Sequence, residues 1–167
     1  MHRNKERNDL LNWVGPISPR EIWLYKLTGR DDIEIFSLED AKSYQVGVVR
    51  KSSSANFLLN NGFIENTNLQ LTNLGIQNVK KLSAGRICLA PFNEAEMAWH
   101  LRKLTPPATM KMVTPVFLMS VRSQYYIALS KQVPDSMIFE LQKALDQMKQ
   151  DGRYKKIWEK YMELMNS

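Results

Sequence analysis

The chain has 167 residues, enough for one ordinary domain or two small lobes, and 44% of them are hydrophobic, which argues against disorder. Its formal charge of +6 would suit nucleic acid, but the 23 basic residues are scattered among 17 acidic ones. The densest basic spots, Lys80-Lys81 and Lys155-Lys156, read as solvated helix faces, so no nucleic-acid partner is expected.

Cys88 is the single cysteine, which excludes an internal disulfide, a CxxC motif and a zinc constellation. It lies in the apolar run 87–92 and reads as a buried, inert thiol. The chain has no run of 18 apolar residues to span a membrane, and its basic start lacks an apolar core of signal-peptide length.

In chain order, 13–17 and 22–27 read as extended segments around the turn Ser18-Pro19-Arg20, and 33–36 leads into a helix start at Ser37. Ser37 with Asp40 three residues on resembles a capping box. The stretch 44–49 is a short β-rich run around Gly47, apolar enough for a covered parallel strand. It empties into Lys51-Ser52-Ser53-Ser54 and then a helix carrying Phe57 and Leu58. Hydroxyls and backbone N–H groups at a helix N-terminus suit a carboxylate or phosphate, although three serines also simply cap a helix.

Residues 68–71 read as a further strand and 73–84 as a helix closed by Gly85. Strand 87–92 follows, with Pro91 arguing for its end or an edge position. The next helix, 93–104, stops at Thr105-Pro106-Pro107, and Asn93 suits its N-cap. Stretches 110–119 and 125–130 read as strands, the second buried. Met137, Ile138, Leu141, Ala144, Leu145 and Met148 form one helical stripe, broken at Asp151-Gly152. Tyr154, Ile157, Trp158, Tyr161, Met162 and Met165 repeat the spacing on a last helix, and both stripes need an apolar surface to lie on.

Catalysis finds little support: His2 and His100 are far apart, and no Ser-His-Asp, HExxH or P-loop spacing occurs. The chain therefore does not read as an enzyme. No cofactor or metal is expected.

Four blocks in order resemble the family 3 extracellular (periplasmic) solute-binding proteins of ABC amino-acid importers. Lys5-Glu6-Arg7 with Trp13-Val14-Gly15-Pro16 resembles the T-x-E-R segment and the crossing strand after it. Ser37–Phe57 is similar to "SLEDLKG-x-x-VGV-x-x-GS", and Gly85-Arg86-Ile87 to "G-[RK]-x-DA". Tyr126–Lys131 and Pro134–Met162 resemble "YGIA" and the closing helices.

The resemblance implies a type II periplasmic binding protein-like α/β fold, with one complete lobe and part of a second. Lobe two would be 37–121. Residues 1–36 would be a lobe-one remnant and crossover, and 122–167 the return crossover and C-terminal helices of lobe one. It implies an N-terminally truncated relative, exposed apolar area, and a homo-oligomer or domain swap. It also implies a small-molecule ligand, an amino acid or similar carboxylate, closed between the lobes, an ABC permease as partner, and a periplasmic location.

The residues that the resemblance marks as ligand-binding are Arg7, Trp13, Lys51, Ser52, Ser53, Phe92 and Asn93. Arg7 would fork onto the ligand's α-carboxylate, and Ser52 and Ser53 would donate to the same group. Lys51 replaces a usual glycine, while Trp13 and Phe92 would supply apolar or cation–π walls. Asn93 stands where the family has an aspartate for the α-amino group, which weakens the case for a standard amino acid. The alternative is a sensory or protein–protein interaction module that keeps the fold and has lost ligand binding.

Overall fold

The computed structural model describes residue 1 and residues 8–166, with side chains at all of these except 120–123, 162 and 164–166. Two compact units divide them, the first built from Met1–Glu21 and Ser120–Leu164, the second from Ile22–Met119. Strands β1 (Leu11–Leu27) and β5 (Val113–Ser130) are long enough to run through both. Each was expected as two shorter strands. The first expectation gave weight to Pro19 as a turn residue, yet the strand continues through Ser18-Pro19-Arg20.

Unit 2 is a doubly wound α/β unit. Its strands are β2 (Val46–Val49), β3 (Leu69–Thr72) and β4 (Ala90–Phe92), with helices α1 (Ser53–Asn60), α2 (Gly75–Ser83) and α3 (Glu94–Arg102). β2 and β3 pair in parallel, Val46 opposite Leu69 through Val49 opposite Thr72. A parallel bridge of Val46 to Leu89, with the Gly47 N–H donating to the Leu89 carbonyl at 2.9 Å, sets the start of β4 on the other side of β2. β4 then pairs antiparallel with β1, Leu24 opposite Pro91. Pro91 is the middle residue of β4, and β4 is the outer strand in the order β4-β1-β5, the edge position where a missing N–H is tolerated.

Strand alternation sorts the core into two clusters. Val46 and Val48 bury against Ala55 and Leu58 of α1, with Leu24, Ile33, Phe63, Leu69 and Leu89. Val79 and Leu82 of α2 and Met97 and Leu101 of α3 gather with Tyr25, Ile87, Ala90 and Phe92. The expected helix at Ser37 is a single 3-10 turn, Asp40–Ser43. Its start is fixed by the Asp40 carboxylate, which accepts from the Ser37 hydroxyl and from the N–H groups of Phe36 and Ser37. These bonds, the hydroxyl first, hold the Asp40 carboxyl below the usual carboxylate range.

Unit 1 carries α4 (Asp135–Gln150) and α5 (Arg153–Asn166) beside the first part of β1. The Gly15 N–H donates to Gln142 Oε1 at 2.9 Å, Lys149 Nζ to the Pro16 carbonyl at 2.5 Å, and the Tyr154 hydroxyl to the Ile17 carbonyl. The apolar stripes are exposed, in keeping with the exposed apolar area that the resemblance implied: α4 has no buried residue, and Met137, Leu141, Ile157, Trp158 and Tyr161 are exposed. Residues 125–130, expected to be buried, are half-buried or exposed, with Ile127 39% exposed.

Among the described residues no helix is long and apolar enough to cross a membrane, and no group of three or more metal-binding side chains occurs.

Candidate functional site

β2 is the pivot of unit 2. From it the chain goes through α1 to β3 on one side, then from β3 through α2 to β4 on the other. At such a reversal two crossovers leave in opposite directions, so a crevice opens outside the carboxyl ends of the two central strands. Here those ends are Val49 and Phe92, and each leads directly into a helix N-terminus.

At the β2 end, Lys51 takes φ 58°, the left-handed region that favours glycine. This kink turns the chain so that Ser52, extended at φ −77° and ψ 160°, caps α1. Its Oγ accepts the Ala55 N–H at 3.1 Å, and its own N–H donates to the Val49 carbonyl at 3.2 Å. Ser53 is the first helical residue and is exposed, as is Lys51. The first N–H groups of a helix have no partner within it, so this end offers donors, hydroxyls and one cation to an anion.

At the β4 end, Asn93 takes the same cap conformation, φ −80° and ψ 161°, and its Oδ1 accepts the Glu96 N–H at 2.8 Å. Asn93 is therefore the N-cap, as expected. Its Nδ2 donates to Glu96 Oε2 at 3.4 Å, a side-chain bond across the same first turn. Sequence reasoning passed over Glu96, although this three-residue spacing is the signal that finds it. His100, one turn on, lies with Nε2 3.9 Å from Glu96 Oε1. It also packs edge-on against the Phe92 ring at 5.6 Å.

Of the expected site residues, the fold brings Lys51, Ser52 and Ser53 to one strand end, and Phe92 and Asn93 to the end of its neighbour. Phe92 is only 2% exposed and belongs to the core beneath the rim. Trp13 belongs to unit 1, half-buried, with its indole N–H donating to the Asn8 carbonyl at 3.4 Å and its ring edge-on to Tyr126. Arg7 lies outside the described residues. Cys88, expected to be buried, is only partly so.

No protein-family model and no curated protein matches the chain. Solved structures do. An ancestral arginine-binding protein bound to arginine is 26% identical with a TM-score of 0.73, over 96% of this chain and 68% of that one. An ancestral arginine-binding protein bound to glutamine gives 24% identity and 0.72 over the same shares. An arginine transport-system periplasmic binding protein from Legionella pneumophila is 17% identical at 0.72, over 96% and 69%. A histidine kinase sensor domain with similarity to periplasmic binding proteins is 19% identical at 0.73, over 96% and 67%.

The chain therefore has the periplasmic binding protein-like fold, spanning about two-thirds of each of these proteins. Its neighbours are the amino-acid-binding proteins of ABC importers that its sequence blocks resemble.

Proposed function

We propose that the chain binds a small polar, amino-acid-like solute by its carboxylate, and that it does so in the periplasm for delivery to an ABC permease. The observation that carries this reading is the α1 N-terminus at the reversal of the unit 2 sheet. There Lys51, Ser52 and Ser53 gather at the carboxyl end of β2, beside the carboxyl end of β4. That is where open α/β sheets hold ligands, and a helix N-terminus suits an anion. The reading is of a binding protein and not an enzyme, in keeping with neighbours described by what they bind. Asn93 lines the same rim, while Trp13 and Arg7 join the proposal on their sequence blocks alone.

Isothermal titration with the twenty standard amino acids tests it. At least one should bind, and Ser53→Ala should weaken that binding by about tenfold, the loss of one hydrogen bond to a charged group. Arg7→Ala should weaken it further. Heat from none of the twenty would overturn the reading.

A second reading, a sensory or protein-interaction module without a ligand, draws support from the likeness to a histidine kinase sensor domain. It expects no solute to raise the unfolding midpoint of the chain.

A further inference from the structure

The last turn of α2 and the loop after α3 enclose a cavity, and we propose that it binds a small aromatic anion, with the ring against the loop's prolines and the charge at Lys80. The cavity holds about 460 Å³, within the range of small-molecule sites. It lies wholly within unit 2 and apart from the rim at the sheet reversal. α2 and α3 each begin at the carboxyl end of a strand and run nine residues, so their far ends lie about 13 Å from it. The site is therefore independent of the solute reading.

The two walls of the cavity differ in chemistry. One is Leu104 with Pro106 and Pro107, and the prolines have no N–H to donate. The loop that carries them is pinned, because the N–H groups of Leu104 and Ala108 both donate to the Leu101 carbonyl, at 3.1 and 3.0 Å. Met112 also lines the cavity, and its carbonyl accepts the Thr28 N–H at 2.9 Å. Leu104, Ala108 and Met112 pack on the second core cluster, which anchors the apolar wall. A flat ring can lie along proline faces and take the contact that a thioether makes with an aromatic edge.

The opposite wall supplies the charge. The Ser83 hydroxyl donates to the Lys80 carbonyl at 3.0 Å, so the donor left for an anion is the Lys80 ammonium. Lys80 is exposed and has no ion-pair partner among the described residues. Its surroundings share its sign. Between Glu65 and Asp135 the only acidic residues are Glu94 and Glu96, in the first turn of α3 and so at the opposite end of that helix. Against them stand Lys80, Lys81 and Arg86 at the end of α2, and Arg102, Lys103 and Lys111 at the end of α3 and just beyond. An anion is attracted to such a field and a cation is repelled. An apolar wall facing an unpaired cation thus fits a ring that carries a carboxylate or sulfonate.

The test follows the backbone amide shifts of the 167-residue chain by NMR as naphthalene-2-carboxylate is added, with naphthalene-2-carboxamide as the uncharged ring of the same shape. The carboxylate should move the amides of Ser83, Leu104, Ala108 and Met112 on one binding curve. It should bind about threefold tighter than the carboxamide, the scale of one exposed ion pair, and added salt should shrink that preference. Lys80→Gln should abolish the preference and leave carboxamide binding unchanged. Ala108→Leu, which fills the cavity, should weaken both compounds. Shifts confined to α4 and α5, or to residues 51–53 at the rim, overturn the inference, as does the absence of any shift at millimolar concentration. A Lys80→Gln protein that keeps the wild-type preference overturns it too, and that variant decides the matter even where Ala108→Leu fails to fold, since Lys80 is exposed.

Discussion

A side-chain carbon on Gly47 would lie 2.8 Å from Asn78 Oδ1 and 2.4 Å from Ile87 Cδ1, so the central strand meets helix α2 and Ile87 at a glycine because nothing larger fits. Asn78 is 1% exposed, and neither its amide oxygen nor its nitrogen has a hydrogen-bond partner. Two unusual positions thus face one another: a strand residue without a side chain and a buried amide without partners. Gly47→Ala should cost roughly 1–3 kcal/mol by overpacking. Asn78→Ala should stabilise by about 1 kcal/mol, because it removes an unsatisfied buried amide and places the best helix former in α2. The double variant should recover more than the sum of the single changes, with a coupling above about 0.5 kcal/mol. Urea unfolding of the four proteins measures this, and strict additivity would show that the two residues do not press on each other.

Lys51 occupies a left-handed backbone position with φ 58°. For a residue with a Cβ this costs roughly 1–2 kcal/mol, partly offset by the greater unfolded-state freedom that glycine brings. Lys51→Gly should therefore raise stability by about 0.5–1 kcal/mol. Lys51→Val, branched at Cβ, should lower it. If the α1 end receives an anion, Lys51→Gly should also weaken solute binding and flatten its dependence on salt, since one cation near the carboxylate is lost. A glycine variant less stable than wild type would show that the lysine side chain has a packing role that outweighs the backbone term.

Much of unit 2 was legible because its signals are local. Ser52 and Asn93 were readable as caps from their position before apolar helices, and both accept the N–H three residues on. Gly85 closes α2 in the left-handed region, as its place after the helix implied. What failed was long-range. The expectation of two strands on either side of Pro19 weighed a turn signal over the pairing that carries β1 through it. The exposure of the α4 and α5 stripes, at Met137 and Trp158, was by contrast expected, since the resemblance implied exposed apolar area. Glu96 was missed for a different reason. Asn93 was legible as the cap, but the partner of its amide is the residue three positions on, one helical turn away and not a chain neighbour.

His100 gives the pH dependence. Its side chain is only 17% exposed, between the Phe92 ring and the N-terminal glycine of α2, and burial pushes its pKa below the ordinary histidine value. The unfolded chain takes up a proton at this residue near pH 6.5, while the folded protein resists it to lower pH. Between those two points the unfolded state binds more protons, so stability rises with pH across the window. It is fully present above about pH 6.5 and is lost as pH falls toward the depressed folded value. Glu96, 3.9 Å away, favours the protonated form and narrows the window without reversing its direction. Thermal unfolding between pH 4.5 and 7.5 should show a falling midpoint on acidification, and His100→Gln should reduce that slope. Glu96→Gln should steepen it by withdrawing the only carboxylate paired with the ring among the described residues. A slope the same in all three proteins would mean that His100 titrates alike in the folded and unfolded chains.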